Sequence, residues 1–544
     1  MWQQNYVPVA DSLGLSTLAA AVPIFVLLLL IGVLRKPAWI AALAGLVASL
    51  VVAIGIYGMP ASLAVSSAGN GAAFGLLPIG WIVYWAVVLY RITVETGKFE
   101  IIKDSIGGLT SDRRLQAMLI AFALGAFIEG AAGFGTPVAV AAAMLSGLGF
   151  SPFFAAGICL LANTAPVAFG SIGVPVVTLA GTTGISELEL STWVGRLCAP
   201  ISLFIPAYLI LVMGGFKGLK GVLPAAIVCG VCFASVQFMI SNFVGPQLVD
   251  IMAAIAAIIG LIVLLRFWSP KDNFVLEGEH QATIAPQSHG FGPTLLAWSP
   301  YLFLVFFVLI WGYPVTKAML ETTNLVFDWP GLHNQVTRVA PIVAAPSPYA
   351  ARFTLNWLAA AGSACGLASI AAAIVLRVSV STYFAILGKV LKQLAFSLAT
   401  IAMVLGLAYV MNYSGATVTL GEAFAKTGLL FPYFSAMLGW LGVFLTGSDT
   451  SANALFGNLQ VVTANAIGLN PVLTASVNSA AGVMGKMISV QSIAVAVAAT
   501  GMTTADESKL FRFTIKHSVG LMIVMGIISM LFAYVFPGSV PAPR

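Results

Sequence analysis

Residues 122–175 read FALGAFIEGAAGFGTPVAVAAAMLSGLGFSPFFAAGICLLANTAPVAFGSIGVP. The run is apolar enough for lipid, yet it is not one clean helix. A bilayer-spanning helix needs about 20 consecutive apolar residues, and this stretch is interrupted at 130–137 (GAAGFGTP) and at 163–175 (NTAPVAFGSIGVP). Glycine and proline weaken helix interiors, and irregular backbone in hydrocarbon leaves N–H and C=O groups unpaired at a cost of several kcal/mol each. Such breaks belong where protein covers them or where they line a wet cavity. A second stretch, 432–501, has the same character, broken at 446–453 (TGSDTSAN) and 478–491 (NSAAGVMGKMISVQ).

The remainder of the chain fits the same solvent. Of 544 residues, 60% are hydrophobic and 8% charged, against about 25% charged in soluble domains; mean hydropathy is +1.02. A cytosolic enzyme, a disordered chain and a secreted disulfide scaffold are excluded. The 24 Lys and Arg outnumber the 18 Asp and Glu, but they stand singly or in pairs between apolar runs, with no stripe or tail. The partner they indicate is the lipid bilayer and not nucleic acid. The five cysteines (Cys159, Cys198, Cys229, Cys232, Cys365) lie in apolar surroundings. Cys229 and Cys232 have CxxC spacing without a βαβ context, and read as small buried hydrophobes. The opening MWQQNYVPVADSLGLS lacks a positive segment, so no cleaved signal peptide is expected.

Apolar runs of spanning length fall near 15–34, 38–57, 70–92, 191–214, 222–241, 248–268, 294–313, 354–376, 394–412 and 513–536. Suppose each interrupted stretch holds one re-entrant hairpin (115–148; 432–466) and one broken spanning helix (152–183; 471–501). The fold class is then an all-α integral membrane protein of about twelve transmembrane helices plus two hairpins. A polar loop at 269–293, carrying Lys271, Asp272, Glu277, Glu279, His280 and His289, separates an N-terminal half (1–268) from a C-terminal half (294–544). A second long connection, 314–353, is rich in Pro, Asn and Thr. Placing the N-terminus outside puts most basic residues in the cytoplasm, among them Arg35, Lys36, Arg113, Arg114, Lys217 and Lys220, as the positive-inside rule demands. Arg544 is one of the few left outside.

The two interrupted stretches also resemble each other. LGAFIEG (124–130) matches LGVFLTG (441–447), GFSP (149–152) matches GLNP (468–471), and Asn163-Thr164-Ala165 matches Asn478-Ser479-Ala480. Under this topology the first copy is entered from inside and the second from outside. That is an inverted repeat, the architecture of many secondary transporters, whose broken helices meet near the bilayer midplane.

An ionisable residue at membrane depth marks a functional site by default. Most acidic residues fall in loops or near span ends, whereas Glu129 and Asp449 sit in the hairpin tips. Each could carry a proton across the membrane, or could be a structural carboxylate satisfied by hairpin N–H groups. Lys486 is the one Lys or Arg assigned to membrane depth; it either pairs with Asp449 or meets an anionic substrate, since a buried ammonium needs a partner. Asn163, Thr164, Ser448, Thr450, Asn453, Ser479, Ser489 and Gln491 add neutral donors beside half-helix ends, where free N–H groups and partial positive charge favour a carboxylate. Other chemistry is missing. No HExxH, P-loop or GxSxG motif occurs, and the four histidines (His280, His289, His333, His517) lack metal-ligand spacing. Neither enzyme nor cofactor is expected, so transport energy must come from an ion gradient or from the substrate's own.

The run 122–175, together with LGWLGVFLTGSDTSANALFGNLQ (438–460), GKMISVQSIA (485–494), LFRFTIKHS (510–518), the opening WQQNY and NYSG at 412–415, resembles the bacterial lactate permease family along essentially the whole chain. The resemblance implies a cytoplasmic-membrane symporter taking up L-lactate, and often D-lactate and glycolate, with protons. It also implies an ion-transporter-type architecture; an elevator-like movement follows from that analogy alone. The expected substrate-binding residues are Asn163, Thr164, Ser448, Thr450, Asn453, Lys486, Ser489 and Gln491, with Glu129 and Asp449 for proton coupling; these rest on the physical reading of the residues. A sodium-coupled organic-anion or dicarboxylate carrier is the alternative, because carbonyls at unwound breaks also hold sodium. A channel or an enzyme's membrane subunit is a further one. The sequence does not rank lactate against glycolate, which differ by one methyl, and assigns no oligomeric state.

Overall fold

The computed structural model describes residues 1–133, 135–272, 274 and 287–540. Glu277, Glu279, His280 and Arg544 lie outside them. After a short strand β1 (Trp2–Gln3) come α1 (Leu13–Val33), α2 (Ala38–Gly55), α3 (Ala61–Phe74), α4 (Trp81–Glu95) and α5 (Lys98–Gly107). Next are α6 (Arg113–Ala131), α7 (Thr136–Gly147), α8 (Pro152–Ala162), α9 (Gly170–Thr183), α10 (Glu187–Phe243) and α11 (Val249–Leu265). Beyond the polar loop lie α12 (Phe291–Gly312) and α13 (Pro314–Glu321). Strands β2 (Leu325–Asp328), β3 (Val336–Arg338), β4 (Ser347–Tyr349) and β5 (Arg352–Leu355) follow, then α14 (Ala361–Val375), α15 (Val380–Ser414) and α16 (Ala416–Ala425). The chain finishes with α17 (Phe431–Thr446), α18 (Asp449–Ala466), α19 (Pro471–Lys486), α20 (Val490–Ala499) and α21 (Glu507–Val535).

Among the described residues ten helices are long and apolar enough to cross a membrane, or eleven if the pair 152–162 and 167–183, bent by 63°, counts as one span. This is a helical, multi-pass membrane protein. Several expected boundaries move, each for a local reason. The run at 70–92 belongs to a longer segment, 61–95, that bends where Leu77 leaves helical φ/ψ beside Pro78, a residue without an N–H to donate. The run at 394–412 is the second half of α15, because Lys389 and Lys392 lower the hydropathy of its first turns without breaking the helix. The run at 354–376 starts later, at Ala361, because 352–355 form β5, paired antiparallel to β2. The all-α class thus admits a small β cap: β1 pairs parallel with β3, and β3 antiparallel with β4. Gln4 fastens this cap to the end of α15, its Nε2 donating to the carbonyls of Asn412 (3.0 Å) and Tyr413 (2.9 Å).

Two sets of helices position the site. In one, α15 lies against α2, α3 and α4, and α14 joins α4 to α12. In the other, α6–α9 and α17–α20 pack on each other and on α10, α11 and α21. The second set contains one sequence of elements twice: helix, tight turn, helix, then helix, break, helix. The turn between α6 and α7 includes Gly133 and Gly135 at φ +59° and +80°, and that between α17 and α18 has Gly447 at +70°. Glycine enters that region without steric cost. The base of α6 is clamped by Arg114, fully buried, which bonds both Asp112 (2.7 Å) and Asp272 (2.8 Å). That guanidinium holds the Asp272 carboxyl below its ordinary range. All five cysteines are free thiols; Cys229 is buried and Cys232 partly so.

Candidate functional site

The second break reads directly off its residues. Ser489 ends the interruption after α19 by accepting from the Ser492 N–H (3.3 Å), which caps α20. Ser448 does the same for α18 through the Ser451 N–H (3.2 Å). In the first break the chain passes through Ser171, Ile172 and Gly173 at φ +48°, +59° and +75° before regular helix begins at Val174. A β-branched residue at positive φ is strained. Here Ser171 is held by its hydroxyl, which donates to the Ala132 carbonyl (3.1 Å) in the first hairpin's turn. Hairpin turn and helix break are thereby tied together.

These ends converge on one cavity of about 250 Å³. Its wall contains Gly135, ahead of α7; Val174 and Pro175, opening the regular part of α9; Ser448–Ser451, opening α18; and Gln491 and Ser492, in the first turn of α20. Four helix N-termini therefore border one small space, each worth roughly 0.3–1 kcal/mol to an anion. Lys486, Glu129 and Asp449 also line it, and Ser397 and Thr400 of α15 with Ala38 of α2 close it from the other set of helices. Drug-sized ligands occupy about 300–1,000 Å³; this space suits a smaller anion.

Lys486 pairs with Glu129, its Nζ lying 3.5 Å from Oε1. Both are buried, and Glu129 Oε2 and Asp449 Oδ1 have no hydrogen-bond partner. Asp449 is held through Oδ2, which accepts from Ser479 Oγ at 2.6 Å and from Asn453 Nδ2 at 3.4 Å. Asn453 also reaches the Pro175 carbonyl (3.1 Å) and accepts from Asn478 Nδ2 (2.9 Å). It stitches α18 to the start of α9 and to α19, and does not line the cavity. Close approach is made possible by missing side chains: a Cβ on Gly482 would overlap Asp449 Oδ1, and one on Gly170 would stand 2.5 Å from Glu129 Oε1.

Of the residues expected from sequence, Glu129, Ser448, Asp449, Thr450, Lys486 and Gln491 share the cavity wall, whereas Asn163, Thr164, Asn453 and Ser489 do not. Ser489 acts from behind as a helix cap. Asn163 and Thr164 are buried in the first break, and Asn163 Nδ2, Asn163 Oδ1 and Thr164 Oγ1 lack partners. The expectation that Lys486 pairs with Asp449 is amended: its protein partner is Glu129. Sequence reasoning misses Ser397 and Thr400, whose signal is a pair of hydroxyls at i, i+3 on one face of an apolar helix. It also misses Asp250, treated as a span-end acid although it is 1% exposed.

A small cavity lined by helix ends within a multi-pass membrane protein is the layout a permease needs. Residues 16–536 match a family model described as L-lactate permease, and the chain belongs to that family. It is 46% identical to an L-lactate permease of Bacillus subtilis over 99% of this chain and 100% of that one. It is 44% identical to the glycolate permease GlcA of Escherichia coli over 99% of each, and 42% identical to an Escherichia coli L-lactate permease over 99% and 100%.

Proposed function

We propose that this protein takes up L-lactate and related 2-hydroxy-monocarboxylates, D-lactate and glycolate among them, with protons across the bacterial cytoplasmic membrane. The observation that carries the reading is the convergence of four helix N-termini and Lys486 on one small cavity. The substrate carboxylate meets Lys486 and the N–H groups opening α18 and α20; Ser448, Thr450 and Gln491 serve its hydroxyl. Coupling follows from scarcity of positive charge. Glu129 and the substrate compete for the same ammonium, so an arriving carboxylate displaces Glu129. An uncompensated buried carboxylate is expensive, and Glu129 takes up a proton as the anion binds. Asp449 is the second candidate for that proton. The names of the relatives support lactate and glycolate as substrates.

The architecture in this reading has twelve spans, two re-entrant hairpins (α6–α7 and α17–α18) and an inverted repeat relating an N-terminal half, 1–268, to a C-terminal half, 294–544. The N-terminus is outside, and the hairpin-containing set of helices carries the substrate past the other set. The matching order of elements in the two stretches supports it. The decisive experiment is uptake of labelled lactate and glycolate into proteoliposomes with imposed proton or sodium gradients. Accumulation driven by an alkaline interior, unaffected when choline replaces sodium, is expected. Accumulation only with sodium would favour a sodium-coupled carrier, and equilibration without accumulation a channel.

A further inference from the structure

Asp250 has no part in the cavity wall, yet it is the buried acid whose situation is hardest to account for. It lies in the first turn of α11, 1% exposed, and neither carboxyl oxygen has a hydrogen-bond partner. Its position is forced by close packing against the tip of α6. A Cβ on Gly130 would stand 2.7 Å from Asp250 Cβ and 3.0 Å from Ile251 Cγ1, so the helix carrying Asp250 rests on the residue that follows Glu129. The groups facing it are few. From α6 comes Glu129, the chain neighbour of Gly130; from α10 comes the buried Cys198 thiol. Glu187, at the start of α10, is engaged by Gln247 at 2.5 Å, and α9 brings no titratable side chain. No cation faces Asp250 among the described residues.

We propose that Asp250 is the reservoir half of a carboxyl pair with Glu129, holding a proton behind the cavity and exchanging it with Glu129 during transport. This rests on the coupling role given to Glu129 above. With the cavity empty, Lys486 is paired with ionised Glu129 and the proton sits on Asp250. When the substrate carboxylate takes Lys486, the released Glu129 side chain turns to Asp250, the O–H bond on Asp250 breaks and one forms on Oε2 of Glu129. The Asp250 carboxylate is then reprotonated from the aqueous side, so one proton enters with one anion. Release of substrate returns Lys486 to Glu129 and expels one proton to the other side. A structural carboxyl would be paired or hydrogen-bonded, as Asp449 is through Ser479 and Asn453; Asp250 is neither, and a proton is the occupant that makes its burial tolerable.

The test uses the full chain in proteoliposomes, comparing wild type, Asp250→Asn and Asp250→Glu. Counterflow of labelled lactate at equal pH on both sides reads binding and translocation; accumulation on a pH gradient reads coupling. Asp250→Asn is expected to keep counterflow within about twofold while losing about tenfold in gradient-driven accumulation and flattening its pH profile. Asp250→Glu should keep accumulation with a displaced profile. Asp250→Asn accumulating lactate with the wild-type pH profile overturns the proposal. Infrared difference spectra of the wild type supply a readout that survives a misfolded variant. Lactate should perturb a protonated-carboxyl C=O band sensitive to exchange into heavy water, and absence of any such band also overturns it. Wild type that fails to accumulate lactate on a pH gradient would defeat the functional reading itself, a separate outcome.

Discussion

At the residue scale the site is defined by one ammonium paired with Glu129, with a second carboxyl, Asp449, on the same cavity wall. Glu129→Gln leaves the shape of the wall intact but cannot gain or lose a proton, so gradient-driven accumulation should disappear while lactate exchange persists in part. Accumulation equal to wild type would remove Glu129 from coupling. Lys486→Met is expected to do more harm, because it strips the cavity of its cation and strands Glu129. Breaking a buried pair from one side costs about 3–5 kcal/mol, so the thermal midpoint in detergent should fall. Adding Glu129→Gln to Lys486→Met should restore the midpoint without restoring lactate binding. Glu129, Asp449 and Lys486 are legible in the sequence because a charge inside an apolar run has no inexpensive alternative explanation. Which carboxylate Lys486 meets is not legible. The hairpin tips bring Glu129 and Asp449 to one cavity from more than 300 positions apart, and only packing chooses between them. Asp250 escapes a sequence reading for the opposite reason: just after Gly245 and Pro246 it resembles a span-end acid, although the start of α11 packs against Gly130.

At the element scale the helix starts matter more than any single donor. Ser448 and Ser489 fix two of them, and removing an N-cap hydroxyl costs about 0.5–2 kcal/mol. Ser448→Ala should therefore weaken lactate binding by fraying the first turn of α18, raising the half-saturation concentration of uptake more than it lowers the maximal rate. Ser448→Asp keeps the cap but sets a negative charge in the anion site, and should weaken binding further. An Asp variant that binds as well as wild type would show that the helix start does not meet the substrate's carboxylate. Helix ends of this kind are readable from Ser-x-x, Asn-Pro and Gly signals, and α8 and α19 begin at the expected prolines, Pro152 and Pro471. Hydropathy alone misjudges α15, whose lysine-bearing first turns are helical and exposed. It cannot see β2–β5, because short strands in a Pro- and Thr-rich connection carry too few residues for a period of two to emerge.

At the scale of the whole molecule the cavity lies at a seam. One wall belongs to the helices with the tight turns and breaks, the other to α2 and α15, through Ala38, Ser397, Thr400 and Ile401. Ala38 begins α2 immediately after Arg35 and Lys36, and Ser397 follows Lys389 and Lys392 on α15. The wall formed by α2 and α15 is therefore nearest the end at which basic residues gather, which the positive-inside rule assigns to the cytoplasm. In this conformation the site should be reachable from the cytosol. With the five native cysteines replaced, Ser397→Cys should react with a membrane-impermeant maleimide in inside-out vesicles. Saturating lactate should slow that reaction, because the anion occupies the space beside Ser397, while right-side-out vesicles should label far more slowly. Labelling confined to right-side-out vesicles would invert the orientation of the chain and with it the direction from which α6–α7 enters. Equal labelling from both sides, unaffected by lactate, would place Ser397 on an open water path and would argue against a seam that closes around substrate.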